Sequence, residues 1–504
     1  MAKMKSSLPF PHFQLLDFID NAGLIKNLRD ELLKACYFRN DNDLNSLSQT
    51  IDLKSFDAEK FPNLYSFRQF LITTVRDFLI QVTGYDLNSQ VAITGSKYSY
   101  TDLLLPHDDS LDYRKIAFVL YLTPDWKKEY GGDLALYNAD TSINRPTTIA
   151  KTLPPTYNSF MFFPVATNTW HAVQEVLSTE NQRLSLNGWF HADNAKAAAP
   201  PIPELPIPRI KPVLETTLND IERFINRSYI IPSEQKSIKR RFASKSEISL
   251  EGFLNADMYN NVLSELKSAD FESVGPADRR NVSILKESSL KPDSPVSQLL
   301  KLFRSEAMAL LLTQWSGLKI YDIKTLDESS SPSAKKPRLS GDQSEPSTST
   351  EKSSESGQVK KSVEMVSNIY RLKHGSYTMS DSQMAADAAS NGYCLDVLLF
   401  FGDLSDFPIE AGGYISYFAI EDSAESLRVP PVSNCLALIF REPEVLNFLK
   451  YITALAKDKV FYLLNCSFFG TSDENESEDS LSSAGEEAFE DDFSDEEEFV
   501  SNSQ

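Results

Sequence analysis

The chain has 504 residues and a formal net charge of −21. Its length exceeds one ordinary core, so two or three domains are expected; its acidity disfavours direct nucleic-acid binding, which needs Lys and Arg against phosphates. Four scattered cysteines without C-x-x-C spacing speak against a disulfide framework or a zinc ribbon, and the lack of any signal-length or membrane-length apolar run predicts a soluble, intracellular protein with no membrane partner.

In chain order, residues 13–84 read as helical. Phe67, Phe70, Leu71, Phe78 and Leu79 recur near helical spacing and predict a face packed on the outside of a barrel. Residues 91–191 read as that barrel, built of short strands. Lys115-Ile116-Ala117-Phe118-Val119-Leu120-Tyr121-Leu122, Asp133-Leu134-Ala135-Leu136-Tyr137 and Ser159-Phe160-Met161-Phe162-Phe163 are apolar runs, broken at Pro124, Gly131-Gly132 and Pro154-Pro155. Such runs suit a double-sheet jelly roll.

Within that barrel stand His107-Asp108-Asp109, then His171 64 positions later, then Arg183 after 12 more. Two imidazoles and a carboxylate occupy one face of ferrous iron and leave the other open. Strand alternation would put His107 and Asp109 on one face and turn Asp108 away. Arg183, Ser185 and Asn187 likewise share a face opposite Leu184 and Leu186, which predicts a polar interior. Arg183 offers a cationic fork to a dicarboxylate, with Tyr98 and Tyr121 as hydroxyl donors or plain aromatic core. The expected chemistry uses Fe(II), 2-oxoglutarate and O2, with His107, Asp109 and His171 as metal ligands. Trp170 and Phe163 are dry walls or plain core, His191 a strand-end histidine and His12 a loop residue. A zinc hydrolase would use the same ligand types, but it needs no Arg183, and no general-base glutamate stands one step from a ligand.

Residues 1–195 therefore form the expected catalytic domain and 196–213 a stiff proline-rich linker. Residues 214–326 and 362–470 form a second domain, interrupted by a disordered insert at 327–361 that contains the basic cluster Lys335-Lys336-Pro337-Arg338, like a nuclear import signal. Residues 471–504 hold 14 acidic and no basic residues and read as a disordered tail. Helical patterns occupy 214–225, 251–266 and 297–315. The second domain echoes the first: Gly412-Gly413-Tyr414-Ile415 matches Gly131-Gly132-Asp133-Leu134, and Ser376-Tyr377-Thr378 matches Tyr98-Ser99-Tyr100-Thr101. The second copy has no H-x-D and no histidine in 441–448, so it is expected to bind no iron. The fold class is thus mainly β with flanking helices (α+β): two double-stranded β-helix (jelly-roll) domains in tandem, the first catalytic, the second degenerate.

Residues 98–122, with Tyr98-Ser99-Tyr100-Thr101-Asp102, His107-Asp108-Asp109 and Arg114-Lys115-Ile116, resemble the ribosomal prolyl 3-hydroxylases. These are eukaryotic 2-oxoglutarate and iron-dependent oxygenases of the yeast termination-and-polyadenylation type. Gly131-Gly132 and the block from Trp170-His171 through Arg183 to His191 fit the same family. The resemblance implies hydroxylation of one proline of a small-subunit ribosomal protein at the decoding centre, with effects on translation accuracy, termination and stress granules, in nucleus and cytoplasm. It implies iron on His107, Asp109 and His171, 2-oxoglutarate on Arg183 and Tyr121 with Tyr98 a further contact, and support of turnover by ascorbate. Two other readings compete. A nucleic-acid demethylase of the same cofactor class would want a basic groove. A non-catalytic docking factor would associate with the ribosome or messenger ribonucleoprotein through the second domain.

Overall fold

The computed structural model describes residues 7–197, 201–204, 207–213, 218–320, 363–380, 382–421 and 424–471. The insert expected at 327–361, its basic cluster, and the acidic tail beyond Thr471 lie outside the described residues. Among the described residues no helix is long and apolar enough to cross a membrane.

The first eleven strands are β1 (Phe13–Leu15), β2 (Phe38–Asp41), β3 (Asn45–Gln49), β4 (Val91–Tyr98), β5 (Leu103–His107) and β6 (Arg114–Tyr121), then β7 (Leu134–Asp140), β8 (Arg145–Leu153), β9 (Phe160–Pro164), β10 (His171–Val173) and β11 (Arg183–His191). They form one curled antiparallel sheet in the order β1-β9-β6-β11-β4-β3-β5-β10-β7-β8, with β2 on β3. Period-two alternation sorts its faces. Ile93, Ile116, Phe118, Leu120, Leu184 and Leu186 point outward and meet the helices of residues 22–83, while Ala117, Tyr121, Leu136, Met161 and Phe163 point inward.

Those helices start where local chemistry allows. Asn21 caps Ala22–Lys34, its side-chain oxygen accepting from the amides of Gly23 and Leu24. Pro62 opens Pro62–Phe70, and Gly84, at φ 74°, closes Arg76–Thr83. The buried stripe is Leu64, Phe67, Leu71, Val75 and Leu79, whereas Phe70 and Phe78 are exposed, correcting the face read from the sequence. The wholly helical reading of 13–84 also gives way, because β2 and β3 interrupt it. Their residues are mostly polar and half-exposed, so hydrophobic periodicity carried no strand signal there.

The C-terminal strands are β12 (Glu247–Glu251), β13 (Phe271–Val274), β14 (Arg280–Leu285), β15 (Glu364–Leu372), β16 (Tyr377–Thr378) and β17 (Cys394–Phe401), then β18 (Ile415–Ala419), β19 (Glu425–Val429), β20 (Cys435–Arg441), β21 (Val445–Leu449) and β22 (Phe461–Phe469). One sheet runs β12-β20-β17-β22-β15-β14-β13, with β16 on β14, and a second runs β19-β18-β21. Helices Ala256–Ser268, Pro295–Phe303 and Glu306–Ser316 cover the outer face of the larger sheet through a core that includes Trp315 and Phe303. The proline-rich segment is pinned at both ends: Ile202 pairs with the carbonyl of Ile143, and Ile210 bridges to Met365. The halves meet through polar contacts, among them the buried pair of Arg145 with Asp278 at 2.5 Å and the part-buried pair of Glu175 with His374 at 2.6 Å.

Candidate active site

β5 ends on His107 and β10 begins on His171, and the two strands pair with these residues directly opposite. Their rings lie 4.2 Å apart. Asp109 is not a strand residue, as alternation suggested. It sits past the end of β5 at φ 59°, a left-handed conformation that a short acidic side chain tolerates. The turn brings its carboxylate to 3.6 Å from His107 Nε2 and 3.4 Å from His171 Nε2. Asp108 does not turn away: it lines the same cavity and accepts from the Ser110 amide at 3.0 Å.

The imidazoles are oriented from behind. His107 Nδ1 lies 2.9 Å from the Leu105 carbonyl and His171 Nδ1 2.8 Å from the Thr169 carbonyl. An Nδ1–H donating to a carbonyl leaves the Nε2 lone pair facing Asp109, the tautomer a metal requires. One ligand atom from each of the three residues lies within 4.8 Å of the others. Without a cation the cluster is electrostatically lopsided. Burial and the neighbouring His171 push His107 down to about 4. Burial opposes charge on Asp109 and His171 as well, yet their mutual attraction outweighs it, raising His171 and holding Asp109 well below the usual carboxylate range. Two neutral imidazoles and a carboxylate fit a divalent metal and leave coordination positions open. Phe163 packs its edge on His171 with centroids 4.8 Å apart; Trp170 is buried but does not line the cavity.

Arg183 opens β11 and is 2 % exposed. Its guanidinium lies 4.8 Å from the Tyr98 ring and 5.1 Å from that of Tyr121. Arg183 Nε and the Tyr121 hydroxyl are buried without a hydrogen-bond partner among the described residues, although burial is costly for both. A carboxylate entering the cavity would meet the Arg183 guanidinium, which lines it. Tyr98 lines the cavity, whereas Tyr121 does not; burial raises both phenols, Tyr98 to about 12, so each keeps its O–H. Glycine places the arginine: at Gly132, φ 70°, a Cβ would stand 3.1 Å from Arg183 Cδ, and at Gly131 it would stand 2.2 Å from the Glu175 carbonyl oxygen.

One cavity of about 450 Å³ holds His107, Asp109, His171 and Arg183 together. Sequence reasoning missed Arg114 and Trp189. Arg114 stacks 3.5 Å from the Trp189 ring, and its Nη1 comes within 3.8 Å of Asp109 Oδ1, bracing the carboxylate. Trp189 continues the two-residue period of Arg183, Ser185 and Asn187, so its signal was present; Arg114 had none. A register shift after Phe190 ends the period, and His191 lies at the strand end with Nδ1 3.1 Å from the Gln90 carbonyl. His12 is a loop residue, but a buried one. Leu44, Asn45 and Gln49, from the hairpin unforeseen in the sequence, also line the cavity.

Residues 93–191 match the model of the 2OG-Fe(II) oxygenase superfamily, and residues 216–476 match that of the oxoglutarate and iron-dependent oxygenase degradation C-terminal region. The chain is 34 % identical over 455 residues to prolyl 3-hydroxylase OGFOD1 of Xenopus laevis, covering 88 % of this chain and 84 % of that protein. To the Mus musculus protein of the same name it is 33 % identical, covering 90 % and 86 %. To prolyl 3-hydroxylase sudestada1 of Drosophila melanogaster it is 28 % identical, covering 86 % and 78 %.

Proposed function

The chain belongs to the family of 2-oxoglutarate- and iron(II)-dependent prolyl 3-hydroxylases, and from that premise we propose that it hydroxylates C3 of a prolyl residue in a small-subunit ribosomal protein at the decoding centre. The observation that carries the reading is a buried arginine with an unmet Nε–H in the same cavity as a His-Asp-His cluster. Iron(II) bound there would supply, with 2-oxoglutarate and O2, the oxidation that turns a C–H bond into an alcohol while releasing succinate and carbon dioxide.

The chain's residues divide the remaining work. His107, Asp109 and His171 would hold the metal, and Arg183 would take the distal carboxylate, with the Tyr98 and Tyr121 rings against its guanidinium. Phe163 keeps water from one flank of the cluster, and Arg114 fixes the carboxylate ligand from outside. The reading includes activity in nucleus and cytoplasm, with effects on translation accuracy and termination.

The domain reading is two jelly rolls in tandem, the second without iron. Strand order supports it: β1-β9-β6-β11-β4 has its counterpart in β12-β20-β17-β22-β15, and β8-β7-β10 in β19-β18-β21. Gly412-Gly413 adopt the φ values of Gly131-Gly132. Register then sets Asn447, paired with Tyr417, at the place of His171, paired with Leu136. Phe461 lies against Gly413 as Arg183 lies against Gly132. By the same pairing Leu372 is the counterpart of Tyr98, each opposite the first residue of the last strand. In place of a metal the second interior holds a satisfied network, in which Asp396 accepts from Arg441 Nε at 2.9 Å, Asn447 Nδ2 at 3.1 Å and Ser467 Oγ at 2.6 Å.

The test is mass spectrometry of the purified chain with Fe(II), 2-oxoglutarate, ascorbate and a peptide spanning the target proline. One added oxygen at proline C3 is expected. Oxidation elsewhere, or of a methylated oligonucleotide in its stead, would overturn the reading.

A further inference from the structure

We infer that the C-terminal half is a working wall of the hydroxylation site: it clamps the β2–β3 hairpin that rims the cavity, with Lys450 as a positioning residue. This deepens the assignment as a prolyl hydroxylase and rests on it.

The hairpin's own half holds only part of it. β3 pairs briefly with β4 and β5 and Arg39 bonds Asp102, but β2 has β3 as its one strand neighbour among the described residues, and of the nine residues of β2 and β3 only Ser46 and Leu47 are buried. Its tip, Asn42-Asp43-Leu44, nevertheless has fixed partners. Lys450, 9 % exposed, donates from Nζ to Asp41 Oδ1 at 2.6 Å and to the Asn42 carbonyl. The Ser380 amide and hydroxyl both donate to Asp43 Oδ2, at 2.9 and 2.6 Å. Beneath the tip, Tyr377 and Met379 form one buried cluster with Leu103 and Leu105, and Leu44 packs against it. Lys450, Ser380, Tyr377 and Met379 all come from the C-terminal half.

What the tip touches on its other side is the site. Leu44, Asn45 and Gln49 line the cavity with His107. The Leu44 carbonyl accepts from the Leu105 amide at 3.0 Å, and the Leu105 carbonyl takes His107 Nδ1. The clamp therefore sets a rim that an incoming peptide must cross, and it braces the strand that ends on His107. A buried ammonium is expensive to retain unless its hydrogen bonds are met. Here they hold an edge hairpin that its own half leaves mostly exposed. The iron cluster and Arg183 lie on β5, β10 and β11 and the turn after β5, not on the hairpin, so loosening the tip should weaken peptide capture more than cofactor binding.

The experiment uses the full chain and its Lys450→Met, Lys450→Arg and Ser380→Ala variants. Two readouts are taken: KM for the peptide against KM for 2-oxoglutarate, and hydrogen exchange of amides 38–49. In Lys450→Met the peptide KM should rise about tenfold, as for loss of a charge-assisted hydrogen bond. The 2-oxoglutarate KM should stay within about twofold, and exchange over 38–49 should accelerate. Lys450→Arg should recover most of both effects, and Ser380→Ala should give a weaker version of them. Unchanged hairpin exchange in Lys450→Met, or equal loss in both KM values, overturns the clamp. Should Lys450→Met not fold, Ser380→Ala decides by the same readouts. A wild-type chain that oxidises no prolyl peptide overturns the function instead, and the exchange readout still judges the clamp.

Discussion

Replacing Arg183 by Met separates binding from scaffolding. The guanidinium is 2 % exposed, sits between two aromatic rings and has an unmet Nε–H in the ligand-free chain. Held that way it contributes little to folding, because burying a guanidinium is costly and an apolar side chain of similar volume is often neutral or better. The ligand-free variant should therefore melt at or above the wild-type temperature. Its affinity for 2-oxoglutarate should fall steeply. Removing one partner of a buried charge-assisted pair costs about 2–5 kcal/mol, or roughly 30-fold to several thousand-fold in Kd. Thermal melts with and without 2-oxoglutarate, in the presence of a redox-inert divalent metal, read both quantities. At about 100 times the wild-type Kd the ligand should stabilise the wild type by about 2.7 kcal/mol and Arg183→Met by at most about 0.9 kcal/mol. A variant that loses ligand-free stability yet responds normally to 2-oxoglutarate would show that Arg183 is scaffold and remove it as the carboxylate anchor.

Three further outcomes come from the geometry. Asp109→Asn keeps a residue that tolerates the left-handed turn at φ 59° but loses the anionic ligand; metal affinity, followed by titration, should drop roughly 100-fold or more, and an unchanged affinity would remove Asp109 from the site. The hydrogen bond that His374 Nε2–H donates to the Glu175 carboxylate raises the His374 pKa above its ordinary 6.5. Its contribution is complete below 6.5 and disappears as pH climbs through the raised value, so melting temperatures of wild type and His374→Ala should converge at alkaline pH; a constant gap would contradict this. Arg441→Met strands Asp396, which is 1 % exposed in its side chain. It should cost about 3–5 kcal/mol in urea unfolding without altering metal affinity, whereas a loss of metal binding would tie that network to the iron site.

The parts of the site legible in the sequence were those that local periodicity governs. Arg183, Ser185 and Asn187 face the cavity and Leu184 and Leu186 the helices because a strand alternates every two residues. His107 and His171 were legible as residue types at a meaningful spacing. Asp109 meets the two histidines by a route the sequence did not indicate: its position depends on a turn whose φ no hydrophobic pattern announces. The β2–β3 hairpin stayed hidden because its residues are mostly polar and its contacts, with β4, β5, Ser380 and Lys450, are all distant in sequence. Asp396 and Arg441 were hidden likewise, since only strand pairing between β17 and β20 brings them together.

The most direct test of the mechanism is to measure succinate and 3-hydroxyproline from one reaction on a prolyl peptide, for the wild type and for Asp109→Asn. Equal amounts from the wild type, and loss of both products together in the variant, are the predicted result. Hydroxyproline formed without matching succinate, or a variant that turns over like the wild type, would contradict it.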